Sequence, residues 1–374
     1  MRAHERDEEH RSATPLELFF DLCFVVAVAQ AAANLHHELS EGHVGEAVGS
    51  YLMLFFAIWW AWMNFTWFAS AYDTDDDVYR ITTLVQISGA LILAAGVPRA
   101  FVENDFSVIT YGYVVMRLAA VTQWIRAAVG DPGHRAADLR YGIGVSLVQA
   151  GWLLRLLLPD DWRTPSFVLL VVADLLVPVV AERPGMTPWH PRHIVERYGL
   201  FTLIVLGEVV LATSIAVQTG VDAGDTGLWH LAAAGALIVY ALWWLYFDRE
   251  IRVSPRLSRG LTWGYGHYLV FAGIAAVGAG LEVAVDHRRH IGHVTGTVVG
   301  YAVAVPVAVY LLTVWVLHIW GQQRASVVVA FPVTAALVLL APLTPGSVYL
   351  VAASLLALVV VTVLVRQREI RAAS

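Results

Sequence analysis

The chain contains little charge, a single cysteine and no lysine. Only 14% of its 374 residues are charged, and all 24 basic residues are arginines. A soluble domain carries about 25% charged residues, so this chain has too little polar surface to face water on all sides. The lone cysteine, Cys23, excludes an intrachain disulfide. The formal net charge of −6 gives no reason to expect nucleic acid as a partner. The composition predicts a protein of the lipid bilayer.

Long apolar runs are what the chain has instead. Hydrophobic residues make up 58% of it. These runs predict an all-α fold, a polytopic helical membrane protein with about 12 transmembrane helices, because a helix satisfies its own backbone in lipid one span at a time. The alternation typical of barrel strands is absent. The predicted segments are 16–35, 47–70, 81–98, 108–128, 140–158, 165–181, 198–218, 228–247, 264–286, 294–318, 326–342 and 347–366.

The arginines predict the orientation of these segments. Eighteen of the 24 fall in the N-terminal tail, in alternate loops and in the C-terminal tail, whereas five fall in the opposite loops and Arg117 lies inside a segment. Cytoplasmic loops of membrane proteins carry the excess of basic residues. We therefore expect a multi-pass protein of the bacterial cytoplasmic (plasma) membrane with both termini cytoplasmic.

The proline-containing stretch 182–197 divides the segments six and six. Glu17 precedes an apolar run that reaches Gln30, and Glu196 precedes one that reaches Glu208. Two halves of six spans share one orientation, so this likeness predicts a parallel internal repeat. The predicted parts are a cytoplasmic N-terminal tail (1–15), a first six-helix half (16–181), a cytoplasmic linker (182–197), a second six-helix half (198–366) and a cytoplasmic tail (367–374).

Tryptophan pairs extend the likeness between the halves. Trp59-Trp60 stands in the second segment and Trp243-Trp244 in the eighth. Chance pairing in a chain with 14 tryptophans is the alternative.

Carboxylates occur where lipid would surround them. Glu17 and Asp21 are four residues apart and lie on one helix face, where two acids can bind a cation or share a proton. For Glu17 the alternative is an interfacial acid at a helix start. Thirteen residues of helix rise about 18–20 Å, which would place Glu208 near mid-bilayer with Glu196 and Arg197 at the interface. An acid at that depth is costly and typical of a functional site.

Arg117 and Asp174 are further charges inside apolar segments. A mid-span arginine needs a counter-ion, for which Asp21, Asp174 and Glu208 are the candidates. Asp174 lies four residues before Pro178, which can break a helix near a site. A static buried ion pair and a simple kink are the alternatives. We also expect Gln86, Gln123 and Gln149 to make interhelical hydrogen bonds.

Histidines give weaker signals. His267 could relay protons, although a core or interfacial histidine is the alternative. His190, His193 and Glu196 have the spacing of zinc ligands on a helix, but Pro191 favours a helix start there instead. The sequence indicates no cofactor, and it contains no nucleophile elbow, phosphate-binding glycine loop or HExxH motif.

Two motifs carry a resemblance to a known family. Glu-Leu-Phe-Phe-Asp-Leu occupies 17–22, and a His-x-x-Glu-Arg lead-in is followed by Gly-Leu-Phe and Leu-Gly-Glu within 193–208. With this span pattern, the chain resembles the bacterial low-temperature-requirement protein A family. The resemblance implies a multipass integral membrane protein, and the family name refers to growth in the cold, not to a reaction. The matching positions are Glu17, Phe20, Asp21, His193, Glu196, Arg197, Gly199, Gly207 and Glu208.

Three functions fit these features. A secondary transporter or ion-conducting protein for an unknown ion or small solute would have its site between the halves. A structural or stress-adaptation membrane protein would use the same charges as static ion pairs, and an intramembrane lipid-modifying enzyme would use carboxylates as acid and base. An oligomer is compatible with each. The candidate residues for ion binding or a buried charge network are Glu17, Asp21, Arg117, Asp174, Glu196, Arg197, Glu208 and His267.

Overall fold

A computed structural model of the chain describes residues 12–249, 251, 253–254, 256–320 and 324–373. Over these residues the fold is all-α and contains twelve helices, as the apolar segments predict. The helices are α1 (Pro15–Ser40), α2 (Val44–Tyr72), α3 (Asp77–Glu103), α4 (Ser107–Gly130), α5 (Arg135–Arg155), α6 (Arg163–Ala181), α7 (Pro191–Ala223), α8 (Thr226–Phe247), α9 (Leu257–Arg288), α10 (Gly296–Val314), α11 (Ala325–Leu340) and α12 (Ser347–Ala373). Short 3₁₀ turns cover Asp160–Trp162 and Ala341–Leu343, and a π-helical turn continues α10 over Trp315–Ile319.

Most helices extend beyond their apolar segments. The apolar run of α3 begins at residue 81, but the helix begins at Asp77 because the carboxylate of Asp76 accepts a hydrogen bond from the Tyr79 N–H. Likewise α7 begins at Pro191 and not at residue 198. These helices therefore begin several residues before the ends that hydropathy alone predicts.

Helix α5 departs from the prediction of twelve spans. Eleven of the twelve described helices are long and apolar enough to cross a membrane, and α5 is the exception. It contains Arg135, Asp138, Arg140, Gln149 and Arg155 within 21 residues. These polar residues lower its hydropathy, although the helix itself forms where the sequence predicts it.

The described residues divide into two compact units. Unit 1 comprises those within Met1–Gln30, Phe56–Tyr198 and Arg252–Gly260. Its helices α3 and α4 cross closely, since a Cβ atom on Gly89 would lie 2.7 Å from the Gly112 carbonyl oxygen. One turn away, the Gln86 amide donates to Gln123 at 2.8 Å, as expected. Gln149 does not follow this expectation, since its amide has no hydrogen-bond partner among the described residues.

Unit 2 comprises the described residues of Ala31–Phe55, Gly199–Ile251 and Leu261–Ser374. Its most enclosed helix is α9, whose small residues admit neighbouring backbones. A Cβ atom on Gly278 would lie 3.0 Å from the backbone of Glu208 on α7. The Tyr51 hydroxyl donates to the Ala272 carbonyl at 2.7 Å, and the Tyr310 hydroxyl donates to the Leu242 carbonyl at 2.7 Å. The approach at Gly278 thus places α9 against α7, and the two hydroxyl bonds join α2 to α9 and α10 to α8.

Candidate functional site

Unit 1 contains a buried group of four charged or polar side chains, which we name the Arg197 cluster: Glu17, Asp21, His193 and Arg197. All four are fully buried. The Arg197 guanidinium lies 2.9 Å from Glu17 Oε1 and 2.5 Å from Asp21 Oδ1. His193 Nε2 lies 3.2 Å from Glu17 Oε2. The cluster therefore places two carboxylates against one guanidinium and one imidazole in the interior of unit 1.

Helix periodicity positions the Arg197 cluster. Glu17 and Asp21 are one turn apart on α1, and His193 and Arg197 are one turn apart on α7, so two matching faces meet. Trp62 Nε1 also donates to Asp21 Oδ1, at 2.7 Å, so this oxygen accepts hydrogen bonds from both Trp62 and Arg197. The Thr14 N–H donates to Glu17 Oε2 at 2.8 Å at the start of α1. Arg197 is buried inside unit 1, because the acids of α1 provide its counter-charges. Its position at the membrane interface stays a prediction.

A second buried pair lies elsewhere in unit 1. Arg117 Nη2 donates to Asp174 Oδ1 at 2.5 Å, and Trp152 Nε1 donates to Asp174 Oδ2 at 2.8 Å. The guanidinium also lies 5.1 Å from the centre of the Tyr113 ring. Of the three candidate counter-ions for Arg117, the structure places Asp174 against it. This pair leaves neither the arginine nor the acid with an uncompensated charge.

The weak zinc candidates His190, His193 and Glu196 do not converge. His190 precedes α7 and its Nδ1 accepts from the His193 N–H at 3.3 Å, so it caps the helix that begins at Pro191. Glu196 Oε1 accepts from the Ala13 N–H at 3.2 Å. Within the described ranges, no group of three or more His, Cys, Asp or Glu side chains has the geometry of a metal site.

Glu208 has a different environment, in unit 2. Glu208 is only 6% exposed, and no described residue forms a hydrogen bond or ion pair with its side chain. Among the described residues, the charge that acts on it is that of another acid, Glu282 on α9. Glu282 Oε2 lies 3.2 Å from His36 Nδ1, and Asp286 Oδ2 lies 2.7 Å from His36 Nε2. We name Glu208, Glu282, Asp286 and His36 the Glu208 cluster.

Sequence reasoning missed three members of the Glu208 cluster. Glu282 and Asp286 are four residues apart at the end of the ninth apolar segment, which is the same pattern as Glu17 and Asp21 in the first. That repeated spacing was the available signal. His36 follows the end of the predicted first segment, 16–35, and becomes part of the site because α1 continues to Ser40.

His267 lies in unit 2 among aromatic side chains. It is fully buried. Its Nδ1 lies 2.7 Å from the Trp263 carbonyl oxygen, so that nitrogen carries the proton, and its Nε2 accepts from the Tyr246 hydroxyl at 3.0 Å. Both ring nitrogens are therefore engaged in fixed hydrogen bonds, which is the arrangement of a core histidine.

Comparison with known proteins gives one family over nearly the whole chain. The family described as "Bacterial low temperature requirement A protein (LtrA)" matches residues 12–366. The uncharacterized protein RA0937 of Rhizobium meliloti (strain 1021) is 25% identical over 306 residues, which cover 77% of this chain and 73% of that protein. Residues 12–366, which the family matches, include every site residue named above.

Proposed function

Because the chain belongs to the bacterial low temperature requirement A family, we propose that this multipass membrane protein is a secondary transporter or an ion-conducting protein for a cation or a proton. The proposal rests on the environment of the Glu208 carboxyl group. This carboxyl group is buried in α7 without a hydrogen bond or counter-ion among the described residues. Glu208 would be the group that binds the transported or coupling ion.

An uncompensated carboxylate at this depth cannot persist without a partner. Burying an isolated charge is so costly that the group takes up a proton or a cation instead. The surroundings favour positive ligands, since the Glu208 cluster combines three acids with a single imidazole. Acids that lie close together cannot all be ionised, so a cluster of acids binds a proton or a cation.

The charges of unit 1 support a structural role in the same protein. The Arg197 cluster and the Arg117–Asp174 pair are each closed, with arginine against acid at 2.5–2.9 Å. Such pairs hold helices in register. A structural or stress-adaptation protein without transport is therefore the second candidate, and in it Glu208 would be a permanently protonated acid.

The arrangement in the membrane is part of the proposal. The arginine distribution supports both termini in the cytoplasm, which requires α5 to cross the bilayer with the other eleven helices. Similar sequence features recur in the same order in residues 16–181 and 198–366, and they support a parallel repeat of six spans each. In that repeat Gln30 corresponds to Glu208, so only the second half would supply an ionisable group at this position.

Ion flux through purified protein in liposomes tests the proposal. We expect the wild type to carry radioactive sodium, radioactive rubidium or protons, and Glu208→Gln to reduce that flux at least tenfold while keeping the thermal stability of the wild type. Glu38→Gln is the matched control, because Glu38 is an acid of unit 2 that pairs with exposed His43. Absence of flux for all three ions, with Glu208→Gln merely unstable, would favour the structural candidate. Turnover of a lipid headgroup by the purified protein would indicate an enzyme instead.

A further inference from the structure

A second polar site of unit 2 surrounds His318. This residue lines a cavity of about 80 Å³ together with Tyr246, Asp248, Arg249 and Thr362. A single water needs a cavity of about 10–15 Å³ on this measure, so a short chain of water molecules fits. Apolar side chains of α11, Val327 and Phe331, also line it. The cavity is thus a chamber between helix ends with a mixed polar and apolar lining.

His318 presents unused hydrogen-bonding groups to this chamber. It is 9% exposed, and neither ring nitrogen has a hydrogen-bond partner among the described residues. A buried donor or acceptor without a hydrogen bond costs about 1–3 kcal/mol of stability. We therefore expect both nitrogens to form hydrogen bonds with a partner in the cavity. His267, by contrast, has both nitrogens engaged with protein groups.

The backbone supplies a second, independent observation. His318 lies in the π-helical turn Trp315–Ile319 that ends α10. π-helical turns are rare and are frequent at functional sites. The turn places His318 beside Tyr246 and His267, with ring centres 5.3 and 5.4 Å away.

Charged and titratable groups around His318 come from several elements. The segment after α8 provides Asp248 and Arg249, which line the cavity, while α8 itself provides Tyr246 and α9 provides His267. From α12, the Arg366 guanidinium lies 2.9 Å from Asp248 Oδ1. Asp248 therefore lines the cavity as an acid that is paired with Arg366. His318 is more buried than Asp248, and its imidazole can act as a base.

We propose that His318 is a proton-relay residue and that the cavity holds a water chain linking it to Asp248. A relay histidine must accept a proton at one ring nitrogen and release one from the other, and both nitrogens of His318 are available for this. In each transfer an N–H bond forms at one nitrogen while the N–H bond at the other breaks, and the released proton passes to water. No electron transfer is involved, and reorientation or reverse transfer restores the starting tautomer.

The relay deepens the proposed function and rests on it, since it needs an ion-binding group to serve. Helix α9 contributes to both sites of unit 2, through His267 beside His318 and through Glu282 in the Glu208 cluster. These positions are 15 residues apart on α9, a rise of about 22 Å. His318 would therefore exchange protons at one end of unit 2, on the side predicted to be cytoplasmic, and Glu208 would bind the ion further along.

Access of water to the cavity is the first test. In a Cys23→Ala background, His318→Cys and Thr362→Cys each place a thiol in the cavity, and Val307→Cys places one on the fully buried part of α10 as a control. We expect aqueous Ag⁺ to block the thiols at 318 and 362 against later maleimide labelling in detergent, and to leave the thiol at 307 reactive. Full maleimide labelling at both 318 and 362 after Ag⁺ would overturn the proposal.

Proton flux is the second test, with pyranine inside proteoliposomes and the voltage clamped by potassium and valinomycin. His318→Gln should reduce flux at least tenfold, whereas His230→Gln, a change at an exposed histidine of α8, should leave it unchanged. Unchanged flux in a stable His318→Gln protein would overturn the relay. If Glu208→Gln still abolishes ion flux in that case, the proposed function stands without the relay. If neither Glu208→Gln nor His318→Gln changes flux, both proposals fail.

Discussion

Buried acids in this protein differ in what balances their charge. Glu17 and Asp21 share Arg197, and Asp174 faces Arg117, whereas Glu208 faces only a further acid among its described neighbours. A paired acid has its counter-charge within the protein and joins two helices. An unpaired acid takes up a proton or a cation instead. In the proposed function, the acids of unit 1 are therefore structural and Glu208 of unit 2 binds the ion.

Removal of Arg197 should destabilise the protein strongly. Arg197→Gln leaves two carboxylates buried without their cation, and breaking a buried ion pair from one side costs about 3–5 kcal/mol. We expect a large loss of thermal stability in detergent, measured by the fraction that remains monodisperse after heating. Arg197→Lys should recover only part of it, because one ammonium group replaces a planar guanidinium that reaches both acids.

Arg183→Gln is the control, because Arg183 is an exposed arginine of the same unit. Its stability should be within about 0.5 kcal/mol of the wild type, as for most surface changes. Equal stability of the Arg197→Gln and Arg183→Gln proteins would contradict a structural role for the Arg197 cluster.

At the residue scale, the sequence predicts which side chains share a helix face better than it predicts which residues they contact. The four-residue spacing of Glu17 and Asp21 correctly predicts a shared face. It cannot predict that Arg197 faces it, because the partner depends on which helices pack together, and that information is not local. For the same reason Arg117 had three candidate counter-ions, and Glu282 and Asp286 were not connected with Glu208.

At the scale of the helix, α3 depends on a cap outside its apolar run. The Asp76 carboxylate accepts from the Tyr79 N–H and from Arg126 Nη2, each at 2.8 Å. Partial burial alone would raise the pKa of Asp76, but these hydrogen bonds more than offset it and lower the pKa to about 2 from the ordinary 3.8. The folded state therefore prefers the charged form of this acid.

The cap gives a prediction with a defined pH range. Because the folded pKa lies below the unfolded one, the charge of Asp76 stabilises the protein above about pH 4, and this contribution is lost as the pH falls through about 2. Asp76→Asn should lower thermal stability at pH 7, and the difference from the wild type should shrink on acidification to pH 2–3. Asp77→Asn, a change at the exposed neighbour, is the control and should show a smaller difference. A pH-independent effect of Asp76→Asn would contradict the pKa shift.

Helix α5 decides how many times the chain crosses the membrane. Its charges separate it from the eleven other helices by composition, yet the arginine pattern needs it to span. We expect reporters inserted after Gly133 and after Pro159 to read cytoplasmic and extracytoplasmic, respectively. Two reporters on the same side would leave eleven spans and put the chain termini on opposite sides.

For the whole molecule, hydropathy predicts helix number well because apolar length is a local property. All twelve predicted segments contain helices in the structure. Hydropathy does not predict the two compact units, since boundaries between them fall inside α1, α2, α7 and α9. It also gives no information on the cavity at His318, which arises from the π-helical turn and the packing of helix ends.

The central claim concerns Glu208, and site-resolved carbodiimide labelling tests it most directly. Dicyclohexylcarbodiimide reacts with protonated carboxyl groups in apolar surroundings, and mass spectrometry of the digested protein locates the product. We predict that Glu208 is labelled and that Glu17 and Asp21, which both lie against the Arg197 guanidinium, are not. Sodium, potassium or higher pH should slow the reaction at Glu208 by competing for the same carboxylate. An unlabelled Glu208, or labelling that no cation and no change of pH affects, would contradict an exchangeable ion at this site.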